Sequence, residues 1–362
     1  MKKLFILSNT LFLLMTNVIY SQDLQSKIDS IRQLHNVPEV TYAIVNKDKV
    51  IAIGATGHHK FSEISDIPNA NLKDYFHLGS NTKAITGFIA AKLVEQGKIN
   101  WTTTYFDLSP EVKESSNPTY YTATLKDFFT HRAKVHAFTN GSERIGLPKF
   151  EGTKQQQRQA FAKHVLTMSP LDSPDGYTYS NAGYSIAASM LEKATNKSWE
   201  ELTRDILTKE LGIDFVIGWP NRNLDNQPWG HALQFDVLES VPPTYDYALT
   251  LIEPAGDISM NIENYIKYIQ LNLKGLSGQD NILKTKTYDY LFNSQSKYAI
   301  GWSNLINDTT KLYDHAGSDG TFFAYTQIDG ITNTAYIILI NSGTTNAQQA
   351  VMKIIEIMKS NI

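Results

Sequence analysis

No cysteine occurs anywhere in the 362 residues. That absence excludes disulfides, thiolate nucleophiles, Cys-ligated zinc and iron–sulfur clusters, and with them a lipid anchor on a modified N-terminal Cys. Charge of one sign is also missing. Thirty-three Lys and Arg stand against 36 Asp and Glu, a net of −3 with no block of like charges. A chain that bound nucleic acid by neutralising phosphates would carry a basic surplus, so nucleic acid is not an expected partner. There is no internal repeat and no low-complexity linker; Gln155-Gln156-Gln157 is too short to count. What remains is ordinary globular composition, 42% hydrophobic and 19% charged, with ample material for a buried core.

Long apolar runs are absent except at the start. Lys2 and Lys3 precede a mostly apolar stretch from Leu4 to Tyr20, and Ser21 offers a small residue before Gln22. This is the layout of a secretory signal peptide over 1–21; Ser8, Asn9, Thr10, Thr16 and Asn17 interrupt it too often for a spanning anchor. Removing Lys2 and Lys3 takes the net charge from −3 to −5. The expectation is an exported protein, periplasmic or secreted, with no membrane anchor once the leader is gone.

Leu24, Ile28, Ile31 and Leu34 fall at helical spacing, and strands follow over Val40–Val45 and Val50–Gly57, joined by the turn Asn46-Lys47-Asp48. The middle of the chain reads as helical. Thr82–Gln96 carries Ile85, Phe88, Ile89 and Leu93 on one face and stops at Gly97. Asn181–Ala194 follows the same logic, and Ser198-Trp199-Glu200-Glu201 is a capping box opening a helix to Leu211. Strand character returns only near the C-terminus, over Phe322–Ile328 and Thr334–Asn341 around the turn Asp329-Gly330. An amphipathic helix with Ala350, Val351, Ile354, Ile355 and Met358 on its apolar stripe closes the chain. Strands at both ends with helices between predict one α+β domain over 22–362. Its antiparallel sheet would be built from 22–75 and 295–362 and flanked by helices, with a large, mostly helical insertion over 76–294.

Chemistry concentrates in three places. Ser80-Asn81-Thr82-Lys83 sits where an extended segment, Tyr75–Leu78, enters a helix. Positions i and i+3 share a helix face, so Lys83 can bring its amine beside the Ser80 hydroxyl. A hydroxyl is a poor nucleophile without such a base, and the helix N-terminus favours a developing anion. The same four-residue pattern recurs at Ser294–Lys297 without a helix start, so spacing alone does not decide. Tyr179-Ser180-Asn181 follows the turn Pro174-Asp175-Gly176 and precedes a helix. His315-Ala316-Gly317 lies just before the C-terminal strands, and His77-Leu78-Gly79 is a second, weaker copy of that pattern.

Taken in order, these three segments resemble the serine β-lactamase and penicillin-binding-protein superfamily, in the branch of class C β-lactamases, D-Ala-D-Ala carboxypeptidases, D-aminopeptidases and related esterases. Phe76–Gly97, Tyr177–Glu192, Ala255–Ser259 and Ala299–Trp302 extend the likeness over most of the mature chain. The resemblance implies a β-lactamase/transpeptidase-like fold and a serine hydrolase working through an acyl-enzyme, without cofactor or metal, on a small-molecule or peptide acyl donor: β-lactam, D-amino-acid peptide or ester. It implies Ser80 as nucleophile, Lys83 and Tyr179 sharing the proton work, and backbone N–H groups of Ser80 and Ser318 as oxyanion hole. Asn181, His315 and Gly317 would meet the substrate, with Gly317 letting the substrate backbone lie close to the strand. A penicillin- or wall-fragment-binding module with little turnover, or an acyl transferase, is the alternative.

Two departures from the family pattern stand out. The third motif opens with His315 where relatives often carry Lys, and Thr130-His131-Arg132-Ala133-Lys134-Val135 lacks the Ser-Gly found in many relatives; that loop is expected at the rim of the site. Neutral imidazole offers a hydrogen bond but little charge, which predicts weak preference for anionic substrates. Half-ionising a phenol at pH 7 takes about 4 kcal/mol, roughly what one ammonium at ~4 Å supplies at an effective dielectric of ~20, and desolvation takes part of that back. Without a second cation, Tyr179 and Lys83 are therefore expected to act as a coupled pair rather than through a standing tyrosinate.

Other patterns carry less. Gly183-Tyr184-Ser185-Ile186-Ala187 looks like a nucleophile elbow, but Ser185 falls inside a helix. His58-His59 and His131…His136 lack the spacing and neighbouring acid of a sequence-local metal site. Trp101, Trp199 and Trp302 read as packing, whereas Trp229–His231, on a Gly/Pro-rich stretch, is expected to line the cleft.

Overall fold

Residues 39–57 and 297–340 together build one seven-stranded antiparallel sheet in the computed structural model, which describes residues 23–61, 69–173 and 175–361. The leader read over 1–21 and Pro174 lie outside the described residues. In chain order the strands are β1 (Glu39–Asn46), β2 (Val50–Gly57), β3 (Tyr75–His77), β4 (Val216–Ile217), β5 (Gly230–Gln234), β6 (Val237–Val241), β7 (Ile258–Asn261), β8 (Lys297–Tyr298), β9 (Ser303–Ile306), β10 (Lys311–Ser318), β11 (Phe323–Asp329) and β12 (Thr334–Ile340). The large sheet runs β2-β1-β12-β11-β10-β9-β8. The N-terminal hairpin thus docks on the last strand, with Val40 opposite Ile340 and Ile44 opposite Tyr336.

The central strands are apolar on both faces because both faces are covered. Successive side chains of a strand point to opposite sides. Val40, Tyr42, Ile44, Ile338 and Ile340 pack with Leu24 and Ile28 of the helix over 23–34 and with Ala350, Val351, Ile354 and Met358 of the helix Thr345–Ser360. Ala43, Val45, Ile337 and Leu339 face the other way, into the core shared with the helical part. Each fully buried aliphatic side chain here contributes about 1.5–3 kcal/mol.

The helix Thr82–Glu95 runs through that second core and is buried nearly all round, from Thr82 to Ala91. It ends where Gly97 takes φ +68°, a conformation that costs glycine little. Asn181–Thr195, Ile262–Leu276 and Thr285–Asn293 supply further helices. Among the described residues no helix is long and apolar enough to cross a membrane.

The fold class read from sequence holds, with two corrections. The middle segment is not purely helical: β3, β7 and β4 form a three-stranded sheet, and β5 and β6 a separate hairpin. His315–Gly317 does not precede the C-terminal strands but lies within β10, whose sequence KLYDHAGS has little strand character of its own. Pairing with β9 on one side and β11 on the other overrides that weak local preference.

Candidate active site

Pairing of β3 with β7, His77 opposite Ser259, gives the chain a rigid approach to residue 80. The Leu78 amide then donates to the Ile258 carbonyl at 2.8 Å. Ser80 follows in a tight 3₁₀ turn, Gly79–Asn81, that passes directly into the helix beginning at Thr82. Asn81 occupies the cap position and no side chain caps that helix end, so the Ser80 hydroxyl is not consumed as a cap.

Lys83 lies fully buried beside it. Its Nζ is 3.0 Å from Ser80 Oγ, 2.7 Å from Asn181 Oδ1 and 2.9 Å from the Ala255 carbonyl. Asn181 Nδ2 donates to the Phe138 carbonyl at 2.9 Å, which fixes the orientation of the amide. Two of the three neighbours of the amine can therefore only accept, and only the hydroxyl can also donate. An ammonium would give all three N–H bonds, and a neutral amine would give two and turn its lone pair toward the Ser80 proton, so the contacts fit either form. Burial favours the neutral form, holding Lys83 well below the usual lysine range.

Tyr179 brings its ring to 4.7 Å from Lys83 Nζ. Burial raises the phenol pKa, and a hydrogen bond with Ser80 offsets only part of that. A standing tyrosinate is opposed by its surroundings. Segment 131–138 holds Tyr179 and its neighbours in place. The Asn181 amide donates to the Ala137 carbonyl at 2.7 Å, Ser180 Oγ donates to the His136 carbonyl at 2.6 Å, and the Ser180 amide donates to His131 Nδ1 at 3.1 Å.

His131 corrects the expectation of a rim. Its ring is buried, 4.3 Å from the Tyr179 ring and 4.6 Å from that of Tyr298. Because Nδ1 accepts, the proton belongs on Nε2, and burial above all depresses its pKa well below the usual histidine value. The segment is a backing wall, left-handed at His131 (φ +61°) and Lys134 (φ +57°).

His315 also departs from the role expected of it. It is buried; its Nδ1 lies 2.8 Å from the Ala316 carbonyl and its Nε2 2.9 Å from Tyr298 Oη. A carbonyl can only accept, so Nδ1 carries the proton and Nε2 accepts from the phenol. Burial, then Lys83, lowers the pKa to about 3. The imidazole is neutral, as read from sequence, but both nitrogens are engaged and none is turned to a substrate.

Gly317 has a physical reason different from the one expected. A Cβ there would lie 2.1 Å from the Leu78 carbonyl and 2.6 Å from the Ser80 amide nitrogen, while one on Gly79 would lie 2.3 Å from the Ser318 nitrogen. Both glycines let β10 close against the Ser80 turn, which brings the amides of residues 80 and 318 together. Gly317→Ala is expected to lower kcat about 10²–10³-fold by spreading that pair. Steady-state rates on any turned-over acyl donor, with circular dichroism to show an intact fold, check it.

A cleft of about 470 Å³ opens over these groups, lined by Ser80, Asn181 and Ser318 and by residues from 139–144 and 246–256. Arg144, the one Lys or Arg in that lining, donates from Nη1 to the Ala248 carbonyl at 2.8 Å. Trp229 and His231 take no part in the lining. His231 is buried instead, with Nδ1 at 2.7 Å from the Asn341 carbonyl.

Arg158 was not legible as a functional support. Fully buried, it meets Glu192 at 2.8 Å, Glu200 at 2.9 Å and Glu253 at 3.2 Å. Glu192 lies on the helix that starts at Asn181, and Glu253 opens the turn that presents the Ala255 carbonyl to Lys83. One guanidinium thus ties together two elements that hold the amine. The only sequence trace is Glu192 itself, a carboxylate amid the apolar positions of its helix.

A family model described as Beta-lactamase matches residues 24–356. Protein flp of Staphylococcus aureus (strain NCTC 8325 / PS 47) is 21% identical over 353 residues, covering 94% of this chain and 67% of that protein. Penicillin-binding protein 4 of Amycolatopsis lactamdurans is 20% identical, covering 89% and 86%. Among solved structures, the D-amino acid amidase of Ochrobactrum anthropi SV3 superposes with a TM-score of 0.72 at 18% identity, over 93% of this chain and 99% of that one. With the Ser80–Lys83–Tyr179 cluster assembled on this fold, the chain belongs to the Beta-lactamase family.

Proposed function

We propose that the protein is a serine hydrolase that cleaves amide or ester bonds through an acyl-enzyme on Ser80. The observation that carries the reading is the buried Lys83 amine, 3.0 Å from Ser80 Oγ, with its other two neighbours acceptors. The neutral amine takes the Ser80 proton as Oγ attacks the acyl carbon. The oxyanion forms against the amides of Ser80 and Ser318, each donor worth about 3–4 kcal/mol in the transition state. The leaving amine or alcohol departs with a proton passed through the Tyr179 hydroxyl, and water releases the acyl group by the reverse relay. Asn181, which lines the cleft, has its second amide hydrogen to offer a substrate carbonyl. A D-configured amino-acid amide or short peptide is the acyl donor we favour, supported by the likeness to the D-amino acid amidase.

Because His315 is neutral and enclosed, a substrate carboxylate is not required. Matched neutral and carboxylated acyl donors should give kcat/KM values within about tenfold of each other, less than one good charge pair provides. A strong preference for the carboxylated member overturns this part. For the reaction itself, intact mass after incubation with a fluorescent penicillin, a D-amino-acid amide and a chromogenic ester is decisive. Turnover with a transient adduct, both abolished in Ser80→Ala, is expected. A permanent adduct without turnover indicates a binding module instead.

A further inference from the structure

Away from the cleft, three ligand-type side chains meet in the interior: Glu39 at the start of β1, His59 just after β2, and Asp74 immediately before β3. They are 0%, 3% and 1% exposed, and their ligand atoms lie within 4.8 Å of one another. His59 Nε2 is 3.1 Å from Asp74 Oδ2. That is the distance of an ion pair, yet the nitrogen makes no hydrogen bond of acceptable angle. A buried imidazole nitrogen directed among carboxylates without a hydrogen bond has the disposition of a metal ligand.

We propose that Glu39, His59 and Asp74 bind a divalent transition-metal ion of the zinc class. One imidazole with two carboxylates suits zinc; calcium and magnesium take oxygen donors. A dication also suits a site that places two carboxylates beside one imidazole in the interior. The neighbours resemble the outer contacts that orient metal ligands. Asp74 Oδ2 accepts from the Asn71 amide at 2.6 Å and Oδ1 from Asn71 Nδ2 at 2.9 Å, and the His59 amide donates to Asn69 Oδ1 at 2.9 Å. The Glu39–His59–Asp74 ligand atoms, within 4.8 Å of one another, stand somewhat wider than ligands around zinc, so binding would draw them together.

Such an ion would be structural. It would fasten the hairpin of the large sheet to the residue that leads through β3 into the Ser80 turn, six positions later. Sequence spacing could not show this, because the three ligands come from separate elements.

The test uses the chain stripped with a chelating resin and reloaded with Zn²⁺. One Zn²⁺ per chain should survive gel filtration, and Tm should rise by about 5 °C at a hundredfold excess over Kd. Asp74→Asn and His59→Gln should lose both effects, while His136→Gln, a half-buried histidine outside the triangle, should keep them. A parent chain that retains no metal and melts identically with and without Zn²⁺ overturns the proposal. Variants that retain as much metal as the parent place the ion elsewhere and overturn it too. Where neither variant folds, Co²⁺ added to the parent decides. Visible bands of low-symmetry nitrogen–oxygen coordination, displaced by Zn²⁺, support the site; the spectrum of aqueous Co²⁺ refutes it.

Discussion

Lys83→Met is expected to lower kcat about 10⁴-fold and, at the same time, to gain on the parent in stability as the pH falls. The first effect follows from removing the group that takes the Ser80 proton. The second follows from burial. The folded amine holds its proton less tightly than the unfolded one, whose pKa is about 10.4. Between the two values the unfolded chain binds more protons, so parent stability rises with pH across that window and is complete only above it. Methionine has no such dependence. Above about pH 10.4 the comparison reports only the hydrogen bonds lost to Asn181 and Ala255; below it, the difference in Tm should shift steadily in favour of the variant. Thermal melts of both proteins from about pH 7 to 10.5 test this. A difference that stays flat would mean that the amine is charged in the folded protein and that the base must be sought elsewhere. The same sign governs kcat/KM in the parent, which should rise through an ascending limb placed below the ordinary lysine range. His315, with its pKa near 3, should contribute no limb at neutral pH.

Arg158→Met should cost the fold about 3–5 kcal/mol, seen as a fall in Tm of about 4–7 °C. The cost arises from what stays behind, the carboxylates of Glu192, Glu200 and Glu253 with no cation between them. Even in the parent, burial raises the Glu192 carboxyl to about 7 against the opposing pull of Arg158. A carboxyl raised in the folded state binds more protons there than in the unfolded chain, so its contribution to stability declines as pH climbs from the unfolded value toward the folded one. Without the guanidinium that decline steepens. The deficit of the variant should therefore be larger at pH 8 than at pH 5, and an equal deficit at both would show that buried charge is not the cause. Because Glu253 sets the turn carrying Ala255, kcat should fall in the folded fraction as well, with KM nearly unchanged.

The parts of the site legible in the sequence are those fixed by short-range geometry. Ser80 and Lys83 are three residues apart on one helical turn, and Tyr179 and Asn181 flank a single helix start, so their relations follow from local structure. The central strands were legible because β1 and β12 are apolar almost throughout. β10 was not, since Asp314, Gly317 and Lys311 give it no strand signature and only its two neighbours define it. The Ala255 carbonyl, the His131 wall and the Arg158 junction arise from contacts across 34 to 172 positions of chain, and beyond Glu192 residue type carries no trace of them. His315 shows the same limit: its neutrality could be read from the residue, but its closure by Tyr298 could not.

The pairing of β1 with β12 sets a condition on how the molecule comes into being. Glu39–Asn46 finds its inner partner only in Thr334–Ile340, so a chain emerging end-first from a ribosome or through a pore cannot finish its central sheet until almost the whole length is out. Contacts of such separation are slow to form. Until then the apolar faces of both strands stay open to water and to other chains, and the interval before closure is when the newly made protein most needs a holding factor.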